Sequence, residues 1–438
     1  MRQVPAVAVA MLLLGCPQSQ PEPSAAESEA SQVGSLSFEL PPGVAVFVDG
    51  QDRGLTPISA LELSASSHRV VLKTACDEIE QSVAVQPQAE TTIDRSSVSA
   101  LGFATLVVEA KTIRDKPLEV KLHLGETEVP GDGGRFEIPA CPARIRIEPT
   151  GVSAYNLGSF IEDIEPKATE TLTRKLILRP GPDVVRLHGG SFRQGPHPND
   201  DFEHPRTPLE PKRVVLETFD MDKTEVTARQ YMECLGERMC EKGPSHVRYT
   251  DSCVFQLSGL HGADAEFGRR MLEGKEDLPA NCVNIVAAKT YCEWRGMRLP
   301  TPLEFDYAFR STKSEYAFPW GNDESQCRAF GVDEPACVKL LEFHRAGRGP
   351  TYEGQEWRYN SQPACSFADG RGVSEQGLCD LAGNLLEFAL FEEDLGNQKK
   401  HYALGGVRAR NMRSFMIGSL PGDPRIGFRC VASAEGVQ

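Results

Sequence analysis

The stretch Gly377-Leu378-Cys379-Asp380-Leu381-Ala382-Gly383-Asn384-Leu385-Leu386-Glu387-Phe388 constrains this chain more than any other. It places two acidic side chains, Asp380 and Glu387, on either side of a Gly383-Asn384 turn. Carboxylates are hard oxygen donors, and such a turn bends the backbone so that carbonyl oxygens point inward between them. Calcium takes that ligand set on a flexible loop. The same residues also read as a strand end, a tight turn and a solvated acid, and the spacing alone leaves both readings open.

The 438 residues give room for roughly two to four domains. At 40% hydrophobic and 25% charged, the chain can build ordinary globular cores. A net charge of -15 argues against binding to nucleic acid or to an anionic membrane surface, because no basic surplus exists to neutralise phosphates. Thirteen cysteines point to an oxidising compartment, provided that the N-terminus is an export signal. Arg2 supplies a positive n-region, and the apolar run Val4 to Leu14 is too short to span a bilayer but suits a signal-peptide core. The run ends in Leu13-Leu14-Gly15-Cys16, which resembles a bacterial lipobox. That resemblance implies a signal peptide over 1–15, diacylglycerol on Cys16, and anchoring by several acyl chains in the cell envelope. No acidic residue follows at Pro17 or Gln18, which by the habit of such lipoproteins places the anchor in the outer membrane. Residues 16–34, rich in Gln, Pro, Ser, Ala and Glu, read as a flexible tether.

From about Leu36 the pattern turns to β-alternation. Val44, Val46 and Val48 alternate along one run, Asp49-Gly50 closes it as a hairpin turn, and Leu61-x-Leu63 and His68 to Leu72 follow. Pro42 to Gly50, with Gly54-x-Thr56-Pro57, resembles the PEGA domain, a small β-sandwich module, over residues 35–97. A second module of this kind is expected over 100–180. Its strands are Ala104 to Glu109, Val120 to Leu124, Arg144 to Ile147 and Leu172 to Leu178, with a turn at 130–134. Cys76 and Cys141, one in each module, pair with each other or stay free. Pro180-Gly181-Pro182 punctuates the end of this half.

Beyond Val184, short signatures arrive in a fixed order. They are Gly189-Gly190-Ser191-Phe192-Arg193-Gln194-Gly195, then Phe219 to Thr227 with Tyr231, and an amphipathic helix through Ala287-Ala288, Tyr291-Cys292 and Trp294. Arg298-Leu299-Pro300-Thr301-Pro302-x-Glu304-Phe305, Phe318-Pro319-Trp320-Gly321, the Gly377–Phe388 stretch, Leu404-Gly405-Gly406 and Gly427-Phe428-Arg429-Cys430 complete the series. Thr227 is placed to cap a helix running on through Gln230 and Tyr231. Together the signatures resemble the formylglycine-generating enzyme family, also called the sulfatase-modifying-factor family, over 184–434. The resemblance implies an α+β domain of C-type-lectin-like fold, preceded here by two small all-β modules.

Residue by residue, the resemblance implies a structural calcium held by the side chains of Asp380 and Glu387 and the carbonyls of Gly383 and Leu385. It also implies a disulfide between Cys292 and Cys430. A second family calcium site would need an asparagine where this chain has Ala329. Formylglycine generation uses copper held by two cysteines shortly after the Gly-Gly motif, since soft thiolates suit Cu(I). The aligned positions here are Arg410 and Phe415, and no cysteine occurs between Cys379 and Cys430. Copper is therefore not expected, nor is the oxidase reaction. Relatives that form sulfoxides bind iron through three histidines in a helical bundle, which the β-patterned N-terminal half does not offer. His197 and His204 belong to a polar loop, and no hydrolase triad, phosphate loop or dinucleotide fingerprint is present. Cys234, Cys240, Cys253, Cys282, Cys327, Cys337, Cys365 and Cys379 read as structural, and eight cysteines allow 105 connectivities.

These readings favour a lipid-anchored binding or scaffold protein whose cleft, lined by Arg408, Arg410 and Arg413, meets a carboxylate-bearing peptide, glycan or envelope protein. A solvated arginine face is the plainer account of that cluster. The alternatives are an active oxidase of exported protein cysteines and an accessory factor for envelope assembly or secretion.

Overall fold

The period-two alternation of the first half produces strands throughout. A computed structural model of the protein describes residues 33–151, 156–195, 212–240, 274–322, 361–366, 373–390 and 426–434, and the backbone of 401–405 and 415–417. The chain divides into two compact units, Met1–Leu40 with Val44–Leu101 and Pro41–Gly43 with Gly102–Gln438.

The first unit carries two sheets. One has Val33–Glu39 between Ile58–Ser64 and Glu90–Asp94; the other runs in the order Gln51–Leu55, Ala45–Val48, Ser67–Lys73, Glu78–Ala84. Alternate residues point inward: Leu36, Phe38, Val46, Val48, Val70 and Leu72 are fully buried. Asp49 and Gly50 take positive φ values of 51° and 78°, the backbone that a two-residue hairpin requires between right-twisted strands. Asp49 also receives the Arg69 backbone N–H at 2.9 Å, and its Oδ2 lies 2.7 Å from Nδ1 of buried His68. On the other side of the ring, Nε2 lies 2.8 Å from the Ser64 carbonyl oxygen. An imidazole with an acceptor at each nitrogen is best satisfied as the cation. The Ser64 carbonyl, and after it Asp49, raise the His68 pKa above its usual value, and the His68 hydrogen bond lowers that of Asp49.

The folded form therefore holds the His68 proton more tightly than the unfolded chain does. The stability so contributed is fully present below about pH 6.5 and is lost as pH rises through the higher folded pKa. We expect amide protection factors in Ser67–Lys73 to be severalfold higher at pH 6 than at pH 8.5, and the difference to vanish in His68→Gln. Equal protection at both pH values would contradict the charged pair.

In the second unit, residues 102–178 build two sheets around one apolar core. A sheet of Gly131–Asp132, Arg135–Pro139, Phe103–Thr112 and Thr171–Leu178 contributes Leu106, Val108, Phe136, Ile138, Leu176 and Leu178. Facing it, Val120–Leu124, Ala143–Pro149 and Phe160–Ile164 contribute Leu122, Ile145, Ile147 and Phe160. The second sheet does not stop there. Its order continues through Val184–Leu187, Phe219–Asp222 and Val431–Ser433, so that seven strands run from the β-module into the C-terminal domain. Phe160 pairs in parallel with Val184 and Ile161 with Val185. Pro180-Gly181-Pro182 thus lies inside this unit and carries the chain from Thr171–Leu178 in one sheet to Val184–Leu187 in the other. Gly181 has φ 111°, and a Cβ there would come within 2.9 Å of the Arg295 guanidinium carbon.

Among the described residues, three α-helices belong to the C-terminal part of that sheet's unit, and local sequence starts each one. Helix α1, Ala228–Gly236, is capped by Thr227 in a reciprocal box with Gln230; helix α2, Ile285–Trp294, is capped by Asn284. Helix α3, Pro302–Phe309, has the Thr301–Glu304 box and a proline at its first turn. Tyr231, Tyr291 and Phe428 stack into one fully buried cluster with Val226 and Cys292. A four-stranded sheet in the order Phe415–Ile417, His401–Gly405, Leu386–Leu390, Ile426–Gly427 carries the acidic stretch. We expect a fragment of residues 102–438 to unfold cooperatively. A fragment beginning at Val184 strips Phe160–Ile164 from the sheet, and its melting temperature should fall by about 10 °C or more, or the transition should be lost. Equal melting of the two fragments would show the β-module to be a separable spacer.

Candidate functional site

The acidic stretch meets the chain's other signatures in the interior. Asp222 ends the strand Phe219–Asp222, Glu225 precedes the α1 cap, Asp380 lies in the loop before the Gly-Asn turn, and Glu387 lies on Leu386–Leu390. All four carboxylates are buried, as are the guanidinium groups of Arg295 and Arg429. Asp380, Gly383 and Asn384 each have positive φ, at 57°, 114° and 44°, so the loop folds back on itself.

Arg429 organises the group. Its Nε and Nη2 donate to the two oxygens of Glu387 at 2.6 Å each, and Nη2 also donates to the Cys379 carbonyl at 2.8 Å. Nη1 donates to the carbonyls of Asp222 and Lys223, both at 3.2 Å. Asp222 accepts from Arg295 Nη1 at 2.6 Å and from the Cys430 backbone N–H at 2.9 Å. The disulfide Cys292–Cys430, with Cα atoms 5.5 Å apart, ties helix α2 to this last segment, as the family resemblance implied. A second bridge, Cys365–Cys379, straps residues 361–366 onto the acidic loop. The strap is reinforced by the Asn384 side chain, which accepts from Gln362 N–H at 3.0 Å and donates to its carbonyl at 3.2 Å. Within the strap, the Cys365 N–H donates to Asp380 Oδ2.

Charge does not balance. Four interior carboxyl groups face two guanidinium groups, so the acidic groups outnumber the basic ones by two. Glu225 has no donor to either oxygen, and its carboxylate lies within hydrogen-bonding reach of Asp380. Burial, and then the charges of Asp380 and Glu387, push the Glu225 pKa well above the usual carboxylate range. Burial likewise raises Asp380, Glu387 and Asp222, against the opposing pull of Arg429 or Arg295. Three of these carboxylate oxygens, Asp222 Oδ1 and both of Glu225, have no hydrogen-bond partner, and such hard oxygen donors are of the type a divalent cation takes.

Sequence reading named Asp380 and Glu387 but gave Glu225, Arg429, Asp222 and Arg295 no role at the site. The available signal was a charge set inside an apolar run, as in Thr224-Glu225-Val226 and Gly427-Phe428-Arg429-Cys430. Cys16, Arg408, Arg410 and Arg413 lie outside the described residues.

The geometry defines a mostly β-sheet domain with few helices, braced by interior ion pairs and disulfides, of C-type-lectin-like fold. The sulfatase-modifying factor enzyme 1-like domain model matches residues 169–434, and the chain belongs to that family. It is 25% identical over 287 residues to the inactive C-alpha-formylglycine-generating enzyme 2 of Mus musculus, covering 58% of this chain and 86% of that one. The serine/threonine-protein kinase pkn1 of Chlamydia pneumoniae is 28% identical over 171 residues, 38% of this chain. The chain spans only 24% of that kinase's length. Among solved structures, CarF aligns with a TM-score of 0.36 and 15% identity over 57% of this chain and 98% of its own.

Removing Arg429 would strand Glu387 and take a donor from three backbone carbonyls, of which Lys223 keeps the Cys379 N–H. We expect Arg429→Ala to cost about 3–5 kcal/mol in denaturant unfolding. Arg429→Lys should recover only part of this, because an ammonium has three donors against five. Wild-type stability in Arg429→Ala would refute the organising role.

Proposed function

We propose that this chain is a lipid-anchored envelope protein whose C-terminal domain keeps the formylglycine-generating fold without the copper-dependent oxidation and acts as a binding or scaffold domain. One observation carries the reading: no cysteine lies between Cys379 and Cys430, where the copper pair would stand. Arg410 and Phe415 occupy the aligned positions, and a guanidinium repels a metal cation. Elsewhere, all nine cysteines among the described residues are in disulfides, and oxidised sulfur offers no thiolate. The mouse relative, inactive by its name, supports a family fold that persists without the activity.

In this reading Cys16 carries the lipid and holds the protein in the outer membrane. Arg408, Arg410 and Arg413 face a carboxylate-bearing peptide or glycan. Among the described residues no helix is long and apolar enough to cross a membrane. A structural calcium, held by Asp380, Glu387 and the carbonyls of Gly383 and Leu385, braces the loops, and its binding energy adds to folding energy. The interior charge surplus and the orphaned Glu225 oxygens support that cation.

The test is anaerobic Cu(I) titration of residues 34–438 against a chromophoric chelator, followed by oxygen consumption with a cysteine peptide. The chelator should keep the copper, and oxygen uptake should stay at background. Stoichiometric Cu(I) capture with peptide oxidation would overturn the reading.

A further inference from the structure

One cleft in the second unit is lined mainly by cations, although the chain as a whole carries a charge of -15. It measures about 390 Å³ including its open mouth, and its walls come from both the β-module and the C-terminal strands. Lys175, Arg179 and Arg186 face a single acid, Asp220, with Ser159 and Ser433 beside them. A Cβ at Gly158 would come within 2.2 Å of the Pro182 carbonyl oxygen, so glycine there lets two segments bordering the cleft close up.

The charges are not matched one to one. Asp220 is committed to Arg186, whose Nε and Nη2 donate to its two oxygens at 2.8 and 3.1 Å. The same guanidinium lies 4.8 Å over the Phe160 ring, which fixes its plane. Glu162, whose charge also reaches Arg186 and Asp220, is held by Arg174 at 2.7 and 3.1 Å. Arg179 gives Nη1 to the Ile177 carbonyl at 2.6 Å, a neutral acceptor. Lys175 lies 3.9 Å from Glu109, with side chains 66% and 61% exposed, so that pair contributes little. Cationic lining in a partly desolvated cleft attracts an oxyanion more strongly than the same groups in water do. A guanidinium fork also matches the two oxygens of a carboxylate.

We propose that this cleft binds a single carboxylate group, held chiefly by Arg179 with Lys175 at the rim. Asp220 and Glu162 stand close enough to disfavour a dianion such as phosphate. The carboxylate comes from an acidic side chain of a peptide, a peptide C-terminus or a small organic acid. The site shares no residue with the Arg408–Arg413 segment of the function proposed above, and it is independent of that reading.

The test is calorimetric titration of residues 34–438 in low salt. The probes are acetyl-trialanine as free acid and as amide, acetyl-Ala-Glu-Ala amide and its glutamine counterpart, propionate and propionamide, and inorganic phosphate. At least one carboxylate probe should bind, its neutral counterpart should bind at least about tenfold more weakly, and the probe that binds names the source. Arg179→Gln should lose about tenfold in affinity and Lys175→Gln about threefold, with Arg179→Lys in between. Lys175→Gln, on an exposed side chain, should melt as wild type does, and its loss of affinity keeps the test independent of folding. A wild type that binds no carboxylate, or phosphate bound more tightly than every carboxylate, would overturn the inference. Affinity unchanged in both Arg179→Gln and Lys175→Gln would overturn it too, and would move the carboxylate to Arg408, Arg410 and Arg413.

Discussion

Every N–H of the Arg429 guanidinium has an acceptor, and the domain's loops converge on those five bonds. They reach Glu387 on one strand, Cys379 in the acidic loop, and Asp222 and Lys223 at the end of another strand. The next residue, Cys430, is fixed to helix α2 by a disulfide and to Asp222 by its N–H. The three short helices among the described residues of this domain cannot fix its geometry by helical hydrogen bonds alone. Here a buried guanidinium does so by collecting the carbonyls of Asp222, Lys223 and Cys379 from two separate segments. The same arrangement concentrates carboxylates around it beyond what two arginines neutralise.

Local chemistry was readable in the sequence wherever neighbours along the chain decide it. Thr227 and Thr301 cap helices because their hydroxyls reach the third residue onward, and Asp49-Gly50 turns because both residues tolerate positive φ. The Cys292–Cys430 bridge followed from family resemblance and is present. What could not be read depends on residues far apart. Arg429 and Glu387 are 42 positions apart, and Asp222 and Arg295 are 73 apart. Nothing in the run Thr224-Glu225-Val226 announces that Glu225 ends up sealed from water beside Asp380. Pro180-Gly181-Pro182 is punctuation in the sequence, yet Val184–Leu187 after it joins the sheet of Phe160–Ile164 before it, with Phe160 and Ile161 parallel to Val184 and Val185.

In the function proposed above, fold and activity separate. The scaffold is kept by interactions that do not depend on the copper chemistry: interior ion pairs, capped helices and disulfides. The activity of the enzymes in the family depends on two thiolates in one segment, and that segment has none. A surface free of that constraint can be reshaped for binding while the charge-braced interior stays as it is.

Elemental analysis of the protein, purified without chelators and dialysed against trace copper and calcium together, tests this separation most directly. A silent, calcium-braced domain should retain about one calcium per chain and less than about a tenth of an equivalent of copper. Stoichiometric copper, or a chain free of both metals, would contradict it.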